Sequence, residues 1–179
     1  MKIEQVLGRY LSKQVTPLFD DPINGPCPDL IVVVPCHNEP DVLPSMRSLA
    51  RTASHDIRIL MIIVVNHGSN ADGKIIAQNE KTIQAILEWN CKNGDNKSFS
   101  VKPITAFDLP PKKAGVGLAR KIGMDEACRI YAHFQKDGVV ACFDADSLCD
   151  LNYSPAIIKR FENNERLDAV SIHFEHPIS

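Results

Sequence analysis

Apolar residues recur at helical spacing over residues 2–13, where Ile3, Val6, Leu7, Tyr10 and Leu11 share one face, and a short amphipathic helix is predicted there. The stretch Pro17–Pro28 is rich in Pro, Asp and Gly and predicts a surface loop. Leu30–Val34 is then an unbroken apolar run, stopped by Pro35, of the kind that suits a strand covered on both faces. Asp41–Ala53 carries Val42, Met46, Leu49 and Ala53 on one side and predicts a helix. Arg58–Val65 is a second β-branched run, ended by a polar turn at Asn66-His67-Gly68-Ser69.

The alternation continues. Asp72–Cys91 predicts a helix with Ile76, Ile83, Ile86 and Leu87 inward, and Ser98–Ile104 a weaker strand. Gly115–Phe134 predicts a helix lined by Ala119, Ile122, Ala127, Ile130 and Phe134. Gly138–Phe143 predicts another buried strand, and Ser154-Pro155 an N-cap and first residue for a helix through Phe161. Ala169–Phe174 predicts a last strand. Strand and helix in turn imply an α/β fold with a mostly parallel sheet flanked by helices. The expected organisation is a helix and loop over residues 1–29, followed by one domain over residues 30–179.

Composition narrows the partners. A hydrophobic fraction of 44% with 23% charged residues is that of an ordinary globular chain, and 179 residues suffice for one sizeable core. The formal charge of −2 and the lack of a basic block argue against a nucleic acid polymer as partner. Any anionic ligand must therefore be met by local charge. Six cysteines contain no C-x-x-C pair, so they are expected to be reduced and mostly structural, with Cys128 and Cys142 packed as small hydrophobes. The first ten residues are too polar for a signal peptide and no apolar run reaches a membrane span. The expected location is cytoplasmic, either free or at the cytoplasmic face of a membrane.

Ligands of open parallel sheets bind beyond the carboxyl ends of the strands, and the unusual polar residues of this chain follow strand ends. Asp144 and Asp146 stand at i and i+2 after Gly138–Phe143, which directs both carboxylates to one side. Two such charges converge stably around a cation, and hard oxygen ligands suit Mg²⁺ or Mn²⁺ completed by substrate phosphates. The alternative is a strand entering a polar turn in which Asp146 caps something local. Pro35-Cys36-His37-Asn38-Glu39-Pro40 carries helix-start chemistry, with Asn38 as a cap, at a place where a base or ribose can lie against exposed backbone. Gly115-Val116-Gly117 opens a helix whose N–H groups suit a phosphate, with Lys113 and Arg120 nearby, although a solvated helix start explains the same residues. The histidines form no metal-binding spacing.

Taken in order, Ile31–Pro35 with Asn38-Glu39, Ile62–Ser69, Ala114–Arg120 and Cys142–Asp146 resemble the family 2 glycosyltransferases of the GT-A fold. The resemblance spans about residues 30–175 and implies a Rossmann-like nucleotide-diphospho-sugar transferase. It places Pro35, Cys36, His37, Glu39, Asn66, Lys113, Arg120 and Asp144 at the nucleotide, with Pro35, His37 and Glu39 around the base and ribose, Asn66 beside the base, and Lys113 and Arg120 on the diphosphate side. Asp144 and Asp146 would bind Mn²⁺ or Mg²⁺, Asp146 more directly. The implied donor is a UDP- or GDP-linked sugar, and the acceptor a glycan, lipid or protein.

Two departures qualify the likeness. The family's Asp-Asp-Gly-Ser turn is Asn66-His67-Gly68-Ser69 here, which removes charge assistance from any hydrogen bond to the base. The family's acceptor-binding half and catalytic base would also lie beyond Ser179. The expectation is thus a domain cut short at its C-terminus, with the catalytic residue unknown. Of the later acids Asp150, Glu162, Glu165, Asp168 and Glu175, only Glu175 remains a candidate base. Two other readings stand beside this one: a nucleotide-sugar-binding module without activity, and a haloacid-dehalogenase-like phosphatase with Asp144 as nucleophile.

Overall fold

A computed structural model of the chain describes residues 3–13, 25–94, 96–164 and 166–175. The elements are α1 (Ile3–Leu11), β1 (Leu30–Cys36), α2 (Leu43–Ala50), β2 (Ile59–Gly68), α3 (Gly73–Asn93), β3 (Phe99–Leu109), α4 (Val116–Phe134), β4 (Val139–Cys142) and α5 (Tyr153–Glu162). All four strands are parallel, in the order β3-β2-β1-β4. With helices on both faces this is an α/β fold of Rossmann-like architecture. The predicted loop Pro17–Pro28 falls outside the described residues as far as residue 24.

The unbroken apolar runs of β1 and β2 follow from coverage of both faces. Leu30, Val32, Val34 and Cys36 of β1, with Ile59, Met61, Ile63 and Val65 of β2, join one core with Met46, Leu49, Ile86 and Ile157 of the helices α2, α3 and α5. The intervening residues Ile31, Val33, Leu60, Ile62 and Val64 join the other core with Ala119, Ala127, Ile130 and Tyr131 of α4. α1 docks on α4, where the Tyr10 hydroxyl donates to Asp125 Oδ1 at 2.6 Å.

Several boundaries differ from expectation. β1 runs through Pro35 to Cys36 rather than stopping at Val34. Val33 accepts from Phe143 N, so the backbone groups of β1 residues in phase with Val33 turn toward β4. Pro35 is in that phase but beyond the β4 pairing, which ends at Val33 with Cys142, so its missing N–H costs no ladder bond. β2 likewise continues through Asn66, His67 and Gly68, where a turn was expected, because β3 extends to Leu109 and pairs with it across a bulge. The turn begins at Ser69.

Other expectations fail for packing reasons. Leu87 points outward on α3, 46% exposed, because Ile86 takes the inward position. Ser154 is not the cap of α5: it is fully buried in the first turn, with its hydroxyl 2.6 Å from that of Thr52. Asn38 does not cap α2; it adopts a left-handed conformation and donates its N–H to Asn79. Residues 169–174 form no strand. Val170, Ile172 and Phe174 alternate as a strand would, yet all three are exposed and the segment joins no strand ladder among the described residues. Cys142 is exposed on the edge strand β4 rather than packed, and all six cysteines are free thiols.

Candidate functional site

The strand order reverses between β1 and β4, and a crevice of about 560 Å³ opens beyond the carboxyl ends there. That is where open α/β sheets hold ligands, and the volume lies within the usual span for small-molecule sites. Pro35, Cys36, His37 and Glu39 line it after β1, and Asn66 and His67 line it from the end of β2. Gly115 and Val116 contribute the start of α4, and Asp144, Ala145 and Asp146 follow β4.

The β4 end is built by alternation. Phe143 and Ala145 are buried in the core, which leaves Asp144 and Asp146 exposed on the crevice side. Ser147 N closes a tight turn on the Asp144 carbonyl at 3.1 Å.

The wall between β1 and β2 is cross-braced. The fully buried Asn79 of α3 donates through Nδ2 to Asn66 O at 3.0 Å and accepts the Asn38 N–H at Oδ1. His37 Nδ1 lies 2.8 Å from the same Asn66 carbonyl. Gln78 donates to Glu39 O at 2.8 Å. These bonds fix the loop after β1 against the end of β2, so the crevice is preformed on that side. Burial first, and then the Glu39 carboxylate, push the Cys36 thiol up to about 12, which makes it a packing group rather than a nucleophile.

Asn66 and His67 sit on the strand itself and are buried, not on an exposed turn. His67 stacks on Phe107 with ring centroids 4.2 Å apart, and its Nδ1 lies 3.0 Å from Gly68 O. That bond puts the ring proton on Nδ1, which leaves Nε2 of the neutral ring an acceptor. His67 Nε2 and Asn66 Oδ1 are both buried without a partner, as is Arg120 Nε. These three are among five such side-chain atoms in the described residues, so unmet hydrogen-bonding capacity concentrates around the crevice.

Charge around the crevice is one-sided. Glu39, Asp72, Asp144 and Asp146 line it, and no lysine or arginine does so among the described residues. Arg120 reaches its edge through Asp144, with Nη2 2.6 Å from Oδ1. Lys113 lies on the turn before α4 and is not a lining residue. Glu175 is exposed, 3.2 Å from His173, and does not line the crevice, while Glu165 and His176 lie outside the described residues.

Sequence reasoning assigned no site role to Asn79, Asp72 or His67, although His67 stood in the polar stretch after the second apolar run. Asp72 had a legible signal: its carboxylate caps α3 by accepting from Lys74 N at 2.8 Å, just past the end of β2. Asn79 had none, because a polar residue inside a helix gives no sign that it faces a strand end.

The crevice offers few donors for a cation. No cluster of three or more His, Cys, Asp or Glu side chains is placed to hold a metal among the described residues. Two carboxylates, Asp144 and Asp146, share the crevice side. Two carboxylates are compatible only with a hard cation that keeps waters and takes its remaining ligands from elsewhere. Four acids without a lining cation give the crevice a negative character that disfavours a bare anion. No helix among the described residues is long and apolar enough to cross a membrane. No family model matches the chain, and no curated protein or solved structure is significantly similar to it.

Proposed function

We propose that the crevice binds the diphosphate of a nucleoside-diphosphate sugar through Mn²⁺ or Mg²⁺, and that the chain is the donor-binding part of a GT-A-type glycosyltransferase. One observation carries this reading: the alternation of Phe143, Asp144, Ala145 and Asp146, which turns two carboxylates into the crevice where the strand order reverses.

In this reading Asp144 and Asp146 hold the cation, Asp146 through a carboxylate with no ion pair of its own among the described residues. The cation, when bound, supplies Lewis-acid stabilisation of charge on the leaving diphosphate. The start of α4 adds backbone N–H groups and the positive end of a 19-residue helix. Asn66, His37 and Glu39 surround the base and ribose. Asn66, whose backbone carbonyl accepts from Asn79 and whose buried side-chain Oδ1 has no partner, is the residue poised to read a base edge. The acceptor is a glycan, lipid or protein.

The reading of a binding module without transfer shares all these residues. The phosphatase reading has less support, since its chemistry requires a lysine near the two aspartates and none lines the crevice among the described residues. Thermal melts with UDP, GDP and p-nitrophenyl phosphate, each with and without Mn²⁺, separate these readings. The proposal expects stabilisation by UDP or GDP only together with the metal. Turnover of p-nitrophenyl phosphate that disappears in Asp144→Ala would favour the phosphatase instead.

A further inference from the structure

Arg120 and Asp144 are separated by 24 positions in the chain, and their side chains meet at 2.6 Å. The guanidinium therefore neutralises one of the two carboxylates assigned to the cation, while Asp146 has no such partner among the described residues. Arg120 keeps its Nε buried and unpartnered, so it holds an unused donor at the edge of the crevice. It is also the fifth residue of α4, whose first turn lines the crevice. A long side chain so placed reaches either Asp144 or an anion at the helix start.

Resting on the site reading above, we propose that Arg120 is a latch that makes cation binding depend on the diphosphate. On Asp144 the guanidinium opposes a divalent cation in two ways: it occupies Oδ1, and it places a like charge beside the ion. A diphosphate at the start of α4 offers it a better bidentate partner. Transfer of Arg120 to the phosphate frees Asp144 and turns a repulsive neighbour into a ligand for the anion. Metal and diphosphate thus bind cooperatively, and the metal alone binds weakly. Arg120 acts here as a positioning residue that sets order and coupling.

The pair is partly exposed, with side chains 39% and 57% accessible, so solvent screens much of its charge. An effect of about three- to tenfold on metal affinity is in keeping with that setting.

The test is a titration of the whole chain with Mn²⁺, followed by the electron paramagnetic resonance signal of the free ion, with and without UDP. Arg120→Gln is expected to tighten Mn²⁺ binding in the absence of UDP by about three- to tenfold and to weaken UDP binding, so that UDP enhances Mn²⁺ affinity less than in the unsubstituted chain. Arg120→Lys, which keeps the charge without the fork, should resemble the unsubstituted chain for Mn²⁺ alone. In an Asp144→Asn background, where there is no carboxylate for Arg120 to block, Arg120→Gln should tighten Mn²⁺ binding less than it does in the unsubstituted chain. Equal or weaker Mn²⁺ binding in Arg120→Gln, with UDP–Mn²⁺ binding intact in the unsubstituted chain, would overturn the latch and leave the site reading standing. No Mn²⁺ binding by the unsubstituted chain even with UDP would remove the site reading and the latch with it.

Discussion

Gly123 of α4 lies so close to Val33 of β1 that a Cβ added there would stand 2.4 Å from Val33 Cγ1. The contact sets how near α4 lies to the sheet. Arg120 is one turn earlier on the same helix, so this spacing also sets where its guanidinium meets Asp144. Gly123→Ala must push the helix away or distort Val33, a fully buried residue. It is expected to destabilise the fold by about 1–3 kcal/mol, outweighing alanine's better helix propensity. Chemical denaturation checks this, and a variant as stable as the parent would show that the helix shifts without cost.

All three tyrosines hold their protons more tightly than a free phenol. The hydrogen bond to Asp125 pushes Tyr10 up to about 12, burial does the same for Tyr153, and burial pushes Tyr131 up as well. A folded-state value above the unfolded value of about 10 means that each contribution to stability is complete below pH ~10. It is lost as the pH rises through the folded value. Tyrosinate absorbance should accordingly be almost absent at pH 10.5 in the folded chain and half-developed near pH 10 in urea. Superimposable titrations in the two conditions would contradict the docking of α1 and the packing of Tyr131 and Tyr153.

Asn66 is buried with an unpartnered Oδ1, so Asn66→Ala removes an unmet acceptor along with its packing, and its effect on stability should stay within about 1 kcal/mol. Its effect on ligands should be selective. With Mn²⁺ present, UDP affinity is expected to fall about three- to tenfold while affinity for inorganic pyrophosphate holds. Equal losses for both ligands would mean that Asn66 shapes the crevice without reading the base.

The sheet was legible because β1 and β2 are buried on both faces and so appear as continuous apolar runs, and because α4 repeats small and apolar residues inward. Proline at position 35 was misread as a stop: its missing N–H matters only where a neighbour strand pairs, and β4 has already ended there. The extension of β2 through His67 was hidden for a related reason, since polar residues can continue a strand when an adjacent strand is long enough to pair with them. Residues 169–174 carry a strand pattern but join no sheet among the described residues, and alternation alone forms no ladder. Asp144 and Asp146 were visible as a pair. Neither the Arg120 contact nor the Asn79 brace was, because each joins residues whose meeting depends on how α3 and α4 lie on the sheet.

Calorimetric titration of UDP and of GDP into the chain, with and without Mn²⁺, and again in Asp146→Ala, tests the central claim most directly. Asp146 is exposed toward the crevice, so its truncation should leave the fold intact. The account predicts binding of at least one nucleotide that requires Mn²⁺ and weakens about tenfold or more in Asp146→Ala, the loss of one charged cation ligand. Affinity that is the same without the metal, and unchanged in Asp146→Ala, would contradict it.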